Sequence, residues 1–243
     1  MNTITQRLQQ ITTSILHSQR KCEQRRESLD EILLVAVSKT QPASAIREAF
    51  LAGQKSFGEN YLQEALTKQQ ALKDLNIDWH FIGPIQSNKT KPIAENFNWV
   101  HGVDRLKIAE RLNVARPASL PPLNICIQLN VSDEDTKSGV TQLDLLPLAL
   151  AIKKLTNLKL RGLMAIPSPT IDVALQHAQF KLVRDCYDKL NNNGLELDTL
   201  SMGMSNDYQV AIEEAATIVR IGSAIFGDRP INNQNNLIMK ENQ

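Results

Sequence analysis

The sequence predicts a single barrel of eight parallel strands, each followed by a helix: a (β/α)8 fold of the TIM type with one extra helix in front. Three observations carry this expectation. Eight short apolar runs alternate with helical patterns through the 243-residue chain, the rhythm of repeated strand–helix units. The first run, ILLVAV at residues 32–37, is six consecutive apolar residues without helical period, as a strand buried on both faces of a parallel sheet should be. The turn after it is Ser-Lys-Thr-Gln-Pro, whereas a doubly wound open sheet usually carries G-x-G-x-x-G there. Eight units in about this length suit one barrel, and a chain of this size can bury roughly three quarters of its unfolded surface.

The elements follow in order. Ile4, Leu8, Ile11 and Ile15 fall on one helical face, so a helix occupies most of the first 28 residues. After the first strand, Pro42 is placed as the first helical residue, and Ile46, Ala49, Phe50 and Gly53 describe a short amphipathic helix with a glycine stop. Further strands are expected at 55–57, 79–82, 99–103, 124–130, 158–164, 197–200 and 217–221. Helical patterns fill 61–72, 104–114, 143–155 and 173–190, and Asn206 or Asp207 starts another through Ala211 to Ala215. No repeat and no low-complexity linker divides the chain. One domain is therefore expected over residues 1–229, with 230–243 a loosely attached, mobile tail.

Composition narrows the function. Lys and Arg number 27 against 26 Asp and Glu, so there is no field of one sign to draw nucleic acid or an anionic membrane. Cys22, Cys126 and Cys186 are odd in number and far apart, which suggests neither a disulfide framework nor a zinc site. The four histidines show no H-E-x-x-H spacing, and no metal is expected. The start lacks a basic region followed by an apolar one, and the apolar stretch near residues 145–152 is interrupted by Pro147 and too short to span a bilayer. A cytoplasmic protein is expected.

Barrels of this kind bind ligands at the carboxyl ends of their strands. There the sequence places Lys39, Asn60, His80, His101, Asn130, Met164, the run SMGMSND from Ser201 and the run RIGSAIFG from Arg220. The last two lie after strands seven and eight, where such barrels often hold a phosphate on backbone N–H groups and a short helix. Gly203 allows a tight turn and Ser205 offers a hydroxyl, while Gly222, Ser223 and Ala224 let a phosphate approach closely. Taken singly, a solvated lysine, capped loops and a salt-bridged arginine are the plainer readings. Together they describe a site for a small phosphorylated compound with a carbonyl to trap, of which pyridoxal 5′-phosphate is one. Its aldehyde condenses with an unprotonated lysine amine, and Arg220 can either pair the phosphate or face the ring nitrogen, of which the ring nitrogen is favoured. An arginine cannot hand over a proton, so the ring stays a weaker electron sink than it is beside an aspartate.

The motifs AVSKTQP, FGENYLQEA, WHFIGPIQSNK, LNVSDEDTKSG, RGLMAIP, LSMGMSND and VRIGSAIFGDR occur here in the order and spacing of the pyridoxal phosphate homeostasis protein family. The resemblance covers about residues 5–229, and the family resembles the N-terminal barrel of alanine racemase. It implies that Lys39 holds the cofactor as a Schiff base, that Ser205, Gly222 and Ser223 bind its phosphate, and that Arg220 meets the ring nitrogen. Asn60, His80 and Met202 match family positions lining the pocket. It further implies a binder concerned with intracellular supply of the cofactor and with amino-acid balance, with no established catalytic reaction and no catalytic residue. Free amino acids and apoenzymes that use the cofactor are further candidate partners, and a monomer or weak dimer is expected.

Two rivals stand beside this reading. A racemase-like enzyme needs a second acid/base on the opposite face of the cofactor, which in alanine racemase is a tyrosine from another domain. Only 16 residues follow Gly227 here, and neither Tyr61 nor Tyr208, which flank the mouth, nor Tyr187 in a helix is plainly placed for it. An enzyme of phosphorylated sugars would leave Arg220 unexplained. His17 and His177 read as surface residues. In the acidic loop from Asp133, Lys137 could guide an anionic ligand but is left outside the site.

Overall fold

The computed structural model describes residues 3–22, 31–131 and 138–227. Within them β1 (Leu33–Val37), β2 (Ser56–Glu59), β3 (Asp78–Phe81), β4 (Trp99–Val103), β5 (Leu123–Leu129), β6 (Leu158–Ala165), β7 (Thr199–Ser201) and β8 (Ile218–Ile221) pair in chain order into a closed barrel. All neighbours run parallel, and β8 returns to β1. The helices between and after them are α2 (Ala43–Leu51), α3 (Leu62–Ala71), α4 (Thr90–Asn96), α5 (Leu106–Ala115), α6 (Gln142–Ile152), α7 (Val173–Asn192), α8 (Tyr208–Glu213) and α9 (Ser223–Phe226). A leading helix, α1 (Ile4–Lys21), completes the expected (β/α)8 architecture.

Strand alternation divides the core in two. Residues such as Ala36, Phe57, Val100, Ile125 and Val219 face outward and pack under the helices. Leu33, Val35, Trp99, Cys126, Met164 and Ile218 face inward and fill the lower barrel. Above this apolar plug the inward positions turn polar, with His80, His101, Ser201 and Arg220 all buried. Polar side chains thus fill the layer under the carboxyl-end mouth.

The leading helix closes behind β8. Thr3 and Gln6 form a reciprocal capping box, which starts α1 so that Leu8 and Ile15 are buried. Arg7 Nε donates to the carbonyl of Ile225 at 2.6 Å, and the Tyr208 hydroxyl pairs with that of Ser14 at 2.8 Å. These bonds anchor α8 and α9, the two helices that carry the last strand-end loops.

Two local expectations are corrected. Pro42 is the cap before α2 and not its first residue, because its ψ of 156° is extended and the helix begins at Ala43. The seventh strand comprises residues 199–201 instead of 197–200, because the backbone of Leu197 is bonded to α7: its carbonyl accepts from Tyr187 Oη and Asn191 Nδ2, and its N–H donates to Asn191 Oδ1. Cys22, Cys126 and Cys186 are free and buried. Among the described residues no helix is long and apolar enough to cross a membrane. The tail from residue 230 and the loop from Asp133 to Lys137 lie outside the described residues.

Candidate functional site

At the carboxyl end of the barrel a cavity of about 200 Å3 is lined by Val37, Lys39, Gln41, Asn60, Ile82, Ile166, Met204, Ser205, Arg220, Gly222, Ser223 and Gly227. A larger cleft of about 520 Å3 opens at the other end, between α1 and the start of β1 and β2. Size does not select between them. The larger cleft lies at the end of a (β/α)8 barrel that carries stability more than chemistry.

On the first side of the mouth, β1 ends and the chain turns through Ser38, Lys39 and Thr40. Ser38 N–H donates to Gly58 across the strand pair, and Gln41 N–H closes a turn onto Ser38. Thr40 has φ of +64°, a left-handed conformation that costs a non-glycine residue about 1–2 kcal/mol. Its surroundings over-determine it. Lys68, reaching in from α3, donates to the Ser38 carbonyl and to Glu59 Oε1, both at 2.7 Å, and also to Glu64 Oε1. Ser38 Oγ donates to Glu59 Oε1 at 2.6 Å, and Thr40 N–H donates to Glu64 Oε1 at 2.6 Å. The Lys68 ammonium is 6% exposed and Glu59 is fully covered. Burial raises the pKa of Glu59, and the charge of Lys68 opposes that shift.

On the opposite side, β7 and β8 deliver the two small-residue loops. Gly203 has φ of +94°, and a Cβ there would lie 2.7 Å from that of Ala211, so only glycine fits this turn without displacement. Asp207 Oδ1 accepts from Met204 N–H at 2.6 Å and ties the loop. A Cβ on Gly222 would come 3.1 Å from the Val37 carbonyl, so this glycine lets the β8 end lie against the β1 end. Ser205 and Ser223 hydroxyls face each other at 3.4 Å, beside the first amides of α9, which have no intrahelical acceptor. Arg220 stands below them. Its Nη1 donates to Ser201 O and Oγ at 2.6 and 2.7 Å, and its Nη2 to Ala165 O at 2.9 Å. Burial lowers its pKa to about 10, which leaves the guanidinium charged at neutral pH.

The structure therefore brings Lys39, Asn60, Ser205, Arg220, Gly222 and Ser223 to one cavity. It does not bring His80 or Met202 to its lining. His80 points inward but one layer too low, fully buried against His101, and Ile82, two residues on, reaches the mouth instead. Met202 follows the inward-facing Ser201 and so points outward into the main apolar core, while Met204 lines the cavity. Each pair is two residues apart and so shares strand parity; depth along β3, and the turn at Gly203 after β7, separate them. Asn60 Oδ1 is buried without a hydrogen-bond partner. A buried acceptor left open beside a cavity is a place for a ligand's donor.

These residues suit a small phosphorylated aldehyde. The lysine can condense with the carbonyl, the serines and α9 amides can take the phosphate, and the charged arginine lies between them and the barrel floor.

Comparison with known proteins agrees. Residues 16–230 match the family described as alanine racemase, N-terminal domain. The chain is 64% identical over 196 residues to the pyridoxal phosphate homeostasis protein of Pseudomonas aeruginosa, covering 81% of this chain and 84% of that one. It is 48% identical to the protein of that name in Escherichia coli, covering 94% and 98%. Among solved structures, PipY of Synechococcus elongatus with pyridoxal phosphate bound matches with a TM-score of 0.76 at 37% identity, over 86% of this chain and 99% of that one.

Proposed function

The chain belongs to the pyridoxal phosphate homeostasis protein family, which carries the alanine racemase N-terminal domain, and from that premise we propose that it binds pyridoxal 5′-phosphate reversibly as a Schiff base on Lys39. The observation that carries this reading is the convergence of Lys39, Arg220, Ser205 and Ser223 on one cavity. In this reading Ser205, Gly222, Ser223 and the α9 amides hold the phosphate. Arg220 faces the ring nitrogen, and Asn60 faces a polar substituent of the ring. The cofactor, when bound, supplies an aldehyde and an electron-withdrawing ring. The protein's part is to seat the phosphate, orient the ring and present one amine, which suits holding and releasing the cofactor in the service of intracellular supply and amino-acid balance.

Racemase-like chemistry finds less support. None of the three tyrosines lines the cavity among the described residues. Tyr208 is hydrogen-bonded to Ser14, and Tyr187 to the carbonyl of Leu197. A second base on the opposite face is what a two-base racemase requires.

The test is the absorbance spectrum of the purified protein with added cofactor, before and after borohydride, with the modified peptide identified. The adduct is expected on Lys39 and is abolished by Lys39→Ala, with the melting temperature little changed because a loop lysine contributes little to core packing. An adduct chiefly on Lys89, Lys91 or Lys137 overturns the assignment.

A further inference from the structure

Beneath the cavity an unbroken polar chain runs from Arg220 across the barrel, and the function proposed above uses only that first member. Arg220 Nη1 donates to Ser201 Oγ at 2.7 Å, and Ser201 Oγ lies 2.8 Å from His101 Nδ1. His101 Nε2 lies 3.0 Å from His80 Nδ1, and His80 Nε2 lies 3.1 Å from Asp78 Oδ2. The five side chains come from β8, β7, β4 and β3. Arg220, Ser201, His101 and His80 are buried, while the Asp78 side chain is 37% exposed at the amino end.

The donors in this chain can be assigned one by one. Arginine only donates, so a lone pair of Ser201 Oγ faces Arg220 and the Ser201 proton must go elsewhere. His101 Nδ1 is the acceptor in reach, which puts the proton of that ring on Nε2. Nε2–H then donates to His80 Nδ1, and the proton of His80 falls on Nε2, facing the Asp78 carboxylate. Every bond then points from Arg220 to Asp78. The reverse order would aim a His80 lone pair at a carboxylate and leave the Ser201 hydroxyl directed toward a cation.

We propose that His80 and His101 are positioning residues: each with its proton on Nε2, they turn the lone pair of Ser201 toward Arg220 and so fix the guanidinium that faces the ligand. The part of this that concerns the ligand rests on the pyridoxal phosphate reading. Three observations support it. Burial drives His101 well below its ordinary pKa, and the charge of Arg220 beside it acts in the same direction. Trp99 stacks on His80 at 9° between planes, with ring centroids 5.5 Å apart. Arg161 covers the Trp99 ring at 4.7 Å and is paired with Asp198, so the imidazole plane of His80 is fixed from below.

The experiment has a cofactor-free arm and a loaded arm, both on the full chain. In the cofactor-free protein at neutral pH, nitrogen NMR of labelled histidine and arginine is expected to show both rings protonated on Nε2 and a slowly rotating Arg220 guanidinium. His101→Phe and Ser201→Ala should release that guanidinium to fast rotation. His101→Gln should retain it, because a glutamine amide offers one acceptor and one donor in the same direction. In the loaded arm, followed by absorbance, His101→Phe and Ser201→Ala are expected to raise the dissociation constant of pyridoxal phosphate by about tenfold, the order of one hydrogen bond to a charged group. They should also move the absorption band, which a merely structural loss would not do, while His101→Gln stays near the parent. A ring protonated on Nδ1, or an unchanged guanidinium and an unchanged band in both severing variants, overturns the proposal. Should His101→Phe fail to fold, Ser201→Ala decides alone, since it removes one oxygen. A parent protein that develops no band with pyridoxal phosphate sinks the ligand reading, while the cofactor-free arm still decides whether the histidines fix Arg220.

Discussion

The two sides of the mouth hold their cationic residues by opposite means. Lys39 lies on a turn outside the barrel wall, and the groups that fix this turn are charged: Lys68 bridges Glu59, Glu64 and the Ser38 carbonyl between β2 and α3. Arg220 lies inside the barrel, and the groups that fix it are neutral: two backbone carbonyls and the Ser201 hydroxyl, backed by a histidine pair. A turn beyond the end of its strand has few backbone partners to offer, so side-chain charges brace it. A side chain rooted in a strand meets ready-made carbonyls and needs only their lone pairs aimed correctly.

The largest difference should follow from breaking the charged side. Lys68→Met leaves Glu59 as a buried carboxylate with no cation, and breaking a buried pair in this way costs about 3–5 kcal/mol. Chemical denaturation measures it. The loss should shrink in acid, and the sign is fixed by burial, which already raises the Glu59 pKa in the folded protein. The native state then binds a proton the unfolded chain releases, so stability rises as pH falls through the native value, down to the ordinary glutamate range near pH 4.3. A loss independent of pH would mean that Glu59 does not carry the cost.

The neutral side should show the opposite slope, on a smaller scale. Above about pH 6.5, the ordinary histidine value, His101 is neutral folded and unfolded and contributes no pH dependence. Below it the unfolded chain takes up a proton that the buried ring, with its lowered pKa, refuses. Stability therefore falls as the pH drops, by at most about 1.4 kcal/mol per pH unit for one proton. His101→Gln, which does not titrate, should flatten the melting temperature between pH 7 and 5, to about the extent that this one proton accounts for. An equally steep loss in that variant would place the proton on another group.

Much of this was legible in the sequence, and the part that was not shares a cause. The apolar run at 99–103 marks that strand to the residue, and the abrupt end of the run before Lys39 puts this residue at the mouth, where it lines the cavity. Lys68 was not found, because a lysine within a helical pattern reads as solvated unless its buried partner on β2 is known. His80 and His101 stand 21 residues apart, and only the pairing of β3 with β4 brings them together. The family resemblance puts His80 and Met202 at the pocket, but depth along a strand and parity across it decide what lines the cavity of this chain. Those depend on register, which apolar periodicity leaves open to a one-residue slip.

The smallest expected effect separates strain from charge on the lysine side. Thr40 is left-handed, next to Lys39. Thr40→Gly removes a penalty of about 1–2 kcal/mol in the folded state, but it frees the unfolded chain by about 0.5–1 kcal/mol. The bond from residue 40 N–H to Glu64 is a backbone bond and survives the change. Net stability should thus move by at most about 1.5 kcal/mol, in the stabilising direction. Borohydride trapping should still occur at Lys39, and at nearly the parent rate, if the ion network alone holds the turn. Slower trapping at unchanged stability would instead show that the threonine's restricted backbone helps to present the amine, and the lysine side would then rest on strain as well as on charge.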